Sequence, residues 1–148
     1  KLLRKGSNGI EFFTTQVLYD SGKIKKMLKY YDDICKKSKV LPRRILLSFA
    51  PVSSKKNIDF LKWLGVEIPK KTEKHLIEVG TGITKESLKI ATEILNDILT
   101  NNEKLGITVP IGLNVEHIMS YNFQYSINML QELSKTYREF CIKTSLYD

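Results

Sequence analysis

A chain of 148 residues with 42% hydrophobic and 27% charged residues is long enough to bury one core and too apolar to stay disordered. Its two cysteines, Cys35 and Cys141, stand far apart without ligand-spaced neighbours, which excludes a disulfide framework and a zinc motif and reads as reduced, buried thiols in a cytoplasmic protein. The net charge of +8 raises the question of an anionic partner, yet the excess is scattered lysine, which favours a solvated surface over a nucleic-acid patch, and no apolar run is long enough to span a membrane.

Lys1 to Lys5 has the shape of the last turn of a helix, so the chain reads as part of a longer protein. Residues 11–17, rich in aromatic and β-branched side chains, follow Gly6 and Gly9 as a strand. From Ser21 the apolar spacing lengthens to three and four through Ile24, Met27, Leu28, Tyr31, Ile34 and Cys35, with lysines opposite, which predicts an amphipathic helix ended by residues 38–42. Residues 44–50 form an unbroken apolar run stopped by Pro51, as expected of a strand covered on both faces. Ser53 then reads as the cap of a short helix holding Ile58, Phe60, Leu61 and Leu64, with Trp63 on its buried side and a stop at Gly65. Pro69 opens another short helix through about Val79. Thr84 reads as an N-cap, with Ile83 and Leu88 closing a hydrophobic staple on a helix whose buried stripe is Leu88, Ala91, Leu95, Ile98 and Leu99. Residues 109–115 make a third strand with Pro110 near its start. A last helix over about 123–140 presents Phe123, Ile127, Leu130, Leu133 and Tyr137 at helical spacing.

The order is three βα units with no hairpin signal, which implies parallel strands with crossover helices. The pattern fits the C-terminal three βα units of a (β/α)₈ TIM barrel, with residues 1–148 as a partial barrel domain, better than a small doubly wound domain. Such a barrel takes roughly 250 residues, so its remainder is expected upstream of residue 1. In either fold the chemistry sits at the C-terminal ends of the strands. Those ends hold Gln16 and Asp20, then Ser48 and the Pro51-Val-Ser53 turn, then Asn114, Glu116 and His117. A carboxamide such as Gln16 donates and accepts together and so suits a flat heterocycle, although it serves equally to tie down the loop that follows it. Glu116 and His117 are adjacent, face opposite ways if extended, and read as a solvated loop. No phosphate-binding glycine loop or nucleophile elbow occurs.

Phe12-Phe-Thr-Thr-Gln16-Val-Leu-Tyr-Asp20 after a lysine-bearing helix end, Ile45 to Ser53 ending in Pro-Val-Ser, the Gly65-Val-Glu-Ile-Pro69 gap, and Leu113-Asn114 together resemble the methylenetetrahydrofolate reductase family in order and spacing. The resemblance covers nearly the whole chain and implies a flavin-dependent (β/α)₈ barrel that passes a hydride from a reduced nicotinamide through FAD to a folate or pterin-like substrate. It implies that Gln16 hydrogen-bonds the pterin, that Asn114 belongs to the substrate site, that Lys5 contacts the phosphate-bearing part of the flavin, and that Asp20 caps the following helix. A homo-oligomer or a partner subunit is a further expectation. Lys55 stands where the family often has a ring-stacking Phe, and Val115-Glu116 where it has an Arg for the glutamyl tail. These departures motivate an alternative, a reductase-like binding or regulatory subunit without catalysis. The catalytic acid of the family would lie upstream, so no catalytic residue is assigned within the chain.

Overall fold

The computed structural model describes residues 2–145. Along the chain run α1 (Leu2–Ser7), β1 (Phe12–Val17), α2 (Gly22–Lys37), β2 (Arg44–Phe49), α3 (Lys55–Trp63), α4 (Lys70–Glu78), α5 (Ile83–Lys104), β3 (Ile111–Val115) and α6 (Phe123–Ser145). The strands form one parallel sheet in the order β1-β2-β3, with Ile45 opposite Ile111 and Phe49 opposite Val115 in the β2–β3 ladder. Helices carry the chain back between successive strands, as the alternation of periods predicts. Pro110, which has no N–H to give, sits just outside β3, and its carbonyl accepts from Ile45 N at 2.9 Å.

The side chains of β2 alternate between two environments. Ile45, Leu47 and Phe49, each 1% exposed or less, pack with Ile111 against Leu28 and Cys35 of α2, Leu95 and Ile98 of α5, and Met129 and Leu133 of α6. Each such side chain contributes about 1.5–3 kcal/mol by leaving water, which makes this layer the main source of stability. A second cluster sits at the C-terminal ends of the strands, where Val17, Tyr19, Ala50 and Val52 meet Ile58, Leu61, Leu76 and Ile83. The alternate residues of the sheet are more open toward its N-terminal end: Phe12 is 54% exposed, Thr14 and Arg44 are exposed, and Leu46 is half-buried, whereas Ser48 beyond them is fully buried. The expectation of a β2 covered on both faces is therefore corrected, since among the described residues helices cover one face. On the open face Gly112 is needed for space, because a Cβ there would lie 2.4 Å from Leu46 Cδ2.

Several local expectations also change. The cap of α3 is Ser54, whose side chain accepts from Asn57 N, while the hydroxyl of Ser53 is drawn to the side chains of Asn57 and Asn122. Thr84 lies inside α5, whose N-cap is Gly82, because the tight turn of Gly80–Gly82 runs straight into the helix. Pro69 is the N-cap of α4 rather than its first residue. Cys35 is buried, which raises its thiol pKa, but Cys141 is exposed near the end of α6. On α6 the buried stripe runs through Ser126, Met129 and Leu133, whereas Phe123 and Leu130 are exposed.

Loop anchoring depends on a few buried polar groups. Asp32 on α2 is 1% exposed and accepts from Thr108 N and Thr108 Oγ1, both at 2.8 Å, with Lys36 Nζ at 2.6 Å. It thus holds the entry to β3 against α2. Tyr19 Oη donates to Ala50 O at 3.0 Å and ties the segment after β1 to the end of β2, and its burial pushes the phenol pKa upward.

Candidate functional site

In a parallel sheet the C-terminal strand ends, with their free loops, are where ligands bind. Here that edge is shaped by an irregularity in β1. Thr14 pairs with Leu46 but Val17 pairs with Ser48, so β1 carries one extra residue. Thr15 Oγ1 fills the gap by accepting from Ser48 N at 2.9 Å. The bulge ends regular pairing next to Gln16, which is exposed.

The Gln16 carboxamide is partly engaged within the protein. Its Oε1 accepts from Val17 N at 3.0 Å, and its Nε2 makes a long contact of 3.5 Å to Leu64 O, just beyond α3. A carboxamide offers two N–H donors and two acceptor lone pairs, so one of each remains for a ligand. On the far side of β2, Asn114 Nδ2 donates to Ser48 Oγ at 3.0 Å, while its Oδ1 has no partner among the described residues. Gln16 and Asn114 are two strand spacings apart, roughly 10 Å, with the fully buried Ser48 between them. The structure therefore brings these two sequence-derived candidates to one edge of the sheet, on either side of Ser48.

Asp20 Oδ2 accepts from Gly22 N at 2.9 Å, one residue ahead of the N-cap position expected of it, which Ser21 holds. A cavity of about 270 Å³ lies beside Gln16 and is lined also by Asp20, Lys23, Gly65 and Glu67, with Lys23 and Glu67 joined as an ion pair. Lys5 does not join this group. It is exposed at the end of α1, before the start of β1, and β1 alone spans about 17 Å, so Lys5 and Gln16 occupy opposite ends of the sheet. A larger cavity, about 560 Å³ and lined by Leu3, Arg4, Tyr31, Leu41 and Arg43, also lies at that N-terminal end. Its place at the wrong end of a parallel sheet sets it apart from the site.

The roof of the C-terminal edge is α3. One end of this helix abuts Gln16 through Leu64, and its side facing the β3–α6 loop places Phe60 with Ile118 and Met119. A polar network joins the same loops. Asn57 Oδ1 accepts from Ser53 N at 2.9 Å and from Asn122 Nδ2 at 3.2 Å, Asn57 Nδ2 donates to Tyr121 Oη at 2.6 Å, and Ser53 Oγ donates to Asn122 Oδ1 at 2.7 Å. Both asparagines are 3% exposed, so the network is a buried clamp between the loops that follow β2 and β3. Glu116 N donates to Phe49 O at 2.7 Å, and the exposed His117 meets the ring of Phe123 edge-on at 5.2 Å. Both belong to the loop, as their adjacency implies.

Sequence reasoning missed two parts of this edge. Trp63 is not core: it is 78% exposed and stacks on Phe60 with ring centroids 5.6 Å apart and planes at 22°. The signal was present, because Ile58 and Leu61 define the buried stripe of α3, and at 100° per residue Trp63 falls 200° from Leu61. The Asn57–Asn122 pair spans 65 positions and had no local signature.

No protein-family model and no curated protein matches the chain. Among solved structures, the chain is similar to an uncharacterized protein from Clostridium thermocellum that binds two copies of 5-methyl-5,6,7,8-tetrahydrofolic acid, with a TM-score of 0.76 and 27% identity. The match covers 91% of this chain and 46% of that one, so the chain spans about half the length of the protein it resembles.

Proposed function

We propose that the C-terminal edge of this sheet binds the pterin end of a reduced folate, with Gln16 as the ring-reading residue, and that the chain is part of a larger (β/α) barrel. The observation that carries this reading is the exposed carboxamide of Gln16, set on a bulge at the mouth with one donor and one acceptor free. A pterin presents an amide-like edge, an N–H beside a carbonyl, which pairs with a carboxamide through two parallel hydrogen bonds. Asn114 Oδ1 offers a further acceptor about 10 Å away, suited to the arm that leads from the ring. The similarity to a methyltetrahydrofolate-binding protein supports the same ligand class.

The likeness of the Thr-Thr-Gln16 and Pro51-Val-Ser53 segments to methylenetetrahydrofolate reductases favours a second reading, a cytoplasmic flavin-dependent reductase drawing on a reduced nicotinamide. FAD would supply the hydride-carrying ring in that case. Lys5 lies at the opposite end of β1 from Gln16, so in that reading it would meet the phosphate-bearing part of the cofactor and not the ring. The binding reading stands on the residues present, and the reductase reading requires groups outside them.

Isothermal calorimetry with 5-methyltetrahydrofolate tests the proposal. Gln16→Ala should weaken binding about tenfold, in line with a lost pair of hydrogen bonds at a partly buried edge, while the melting temperature stays within a few degrees of wild type. Gln16→Glu should make affinity pH-dependent, since an ionised carboxylate accepts but cannot donate. Wild-type affinity in Gln16→Ala would refute the assignment. A flavin spectrum retained through purification would move the balance to the reductase.

A further inference from the structure

Trp63 is the one tryptophan of the chain and among its most exposed large side chains, with Leu64 beside it 44% exposed. Exposed indoles are costly, and a Trp already stacked on one face by Phe60 is held as a flat platform with its other face free. Its position is not arbitrary. Trp63 is the last residue of α3 and immediately precedes Leu64, whose carbonyl contacts the Gln16 carboxamide. The same helix carries Lys55, Lys56 and Lys62. Lys62 pairs with Glu73 at 2.7 Å, while Lys55 and Lys56 are exposed and have no ion-pair partner among the described residues. They sit in the first helical turn, where positive charge opposes the helix dipole and lowers stability, so the charge pattern of α3 favours an anionic occupant over an apolar one.

We propose that the Phe60–Trp63 pair is a stacking subsite for the aromatic arm of a folate, the aminobenzoyl ring that joins the pterin to its glutamyl carboxylates. This rests on the folate reading above and deepens it. With the pterin at Gln16, the arm passes the end of α3 at Trp63, and the glutamyl end lies along a helix whose first turn is about 12 Å further on and carries Lys55 and Lys56.

The experiment uses the intact protein, with the emission difference between wild type and Trp63→Phe isolating the Trp63 signal. 5-Methyltetrahydrofolate is titrated into wild type, Trp63→Ala and Trp63→Phe and followed by calorimetry and fluorescence. Stacking predicts quenching of Trp63 that saturates with the calorimetric isotherm, binding about tenfold weaker in Trp63→Ala, and affinity near wild type in Trp63→Phe. A comparison with a reduced pterin lacking the aminobenzoylglutamate arm separates the two claims, because its affinity should respond to Gln16→Ala but not to Trp63→Ala. If wild type binds the folate and Trp63→Ala binds it equally well, the stacking subsite is overturned and the folate reading survives. If wild type binds neither compound, both fall together. Shielding of Trp63 from acrylamide before any folate is added would also overturn the proposal, since it would mean that another part of the protein covers the ring.

Discussion

Asp32→Ala should be among the most damaging single substitutions in the chain, lowering stability by about 3 kcal/mol and the urea midpoint by more than about 1 M. The carboxylate is 1% exposed and satisfies the backbone and the side chain of Thr108 together, so truncation orphans an N–H in a site where water does not readily replace the acceptor. Lys36, by contrast, is half exposed and regains water. The loss thus comes from the Thr108 contacts more than from the ion pair. Asp32→Asn keeps an acceptor of the same shape and should cost less. Burial alone would raise the pKa of this carboxyl, but the Lys36 ammonium and the two Thr108 donors outweigh it and hold the pKa below its ordinary value of 3.8. A depressed folded-state pKa means stability that is present above the unfolded value and lost as pH falls through the folded one. Acid unfolding of wild type should therefore steepen below about pH 4, and Asp32→Asn should remove part of that slope. Asp97, held low by Lys25 and Ser21, and Glu86, held low by His75, keep the remainder. Identical acid profiles for wild type and Asp32→Asn would show that the Thr108 clamp carries no titrating energy.

Asn57→Ala should cost a similar amount, about 2 to 4 kcal/mol, and its effect should be local. Asn57 Oδ1 is the acceptor for Ser53 N and Asn122 Nδ2, and its amide reaches Tyr121. Removing it leaves Asn122 buried with only a long 3.4 Å contact to Pro51 O for its Nδ2. Amide exchange should accelerate in residues 116–123 while the β2 ladder keeps its protection, because the core of Leu47 and Phe49 is untouched. Since the two loops flank Ser48 and Asn114, the proposed folate binding should weaken with it. Uniform exchange throughout the chain would instead mark Asn57 as a general stability element.

How far the sequence speaks for itself varies with distance along the chain. The strands and most helix faces were legible because their signals are local: an apolar run in 44–50 and a three-and-four spacing from Ile24 to Cys35 report on neighbours a turn or a strand away. The place of Gln16 at the polar end of a strand was legible for the same reason. What failed was anything decided across the fold. Asp32 and Asp33 are equivalent in sequence, yet one is clamped by Thr108, 76 positions away, and the other is an exposed partner of Lys29. Trp63 was assigned by residue type, where the helical angle from Leu61 would have been the better guide. The open face of the sheet was only partly legible: Arg44 and Ser48 flank Leu46 on that side of β2, but whether a hydrophobic position such as Leu46 meets a helix depends on how many layers surround it.

The plain strand order of the sheet bears on how the chain is made. Among the described strands each one after β1 pairs with the strand synthesised just before it, so β2 and β3 each emerge with a partner already made. At roughly 5–20 residues per second, β2 emerges a few seconds after β1 and can zip against it with α2 folded between them. The second junction is slower, because α3, α4 and α5 must be synthesised before β3 is available to extend the sheet. Among the described elements assembly is then vectorial, with the β1-α2-β2 unit complete before β3 and the Asp32–Thr108 clamp closing only when the entry to β3 arrives.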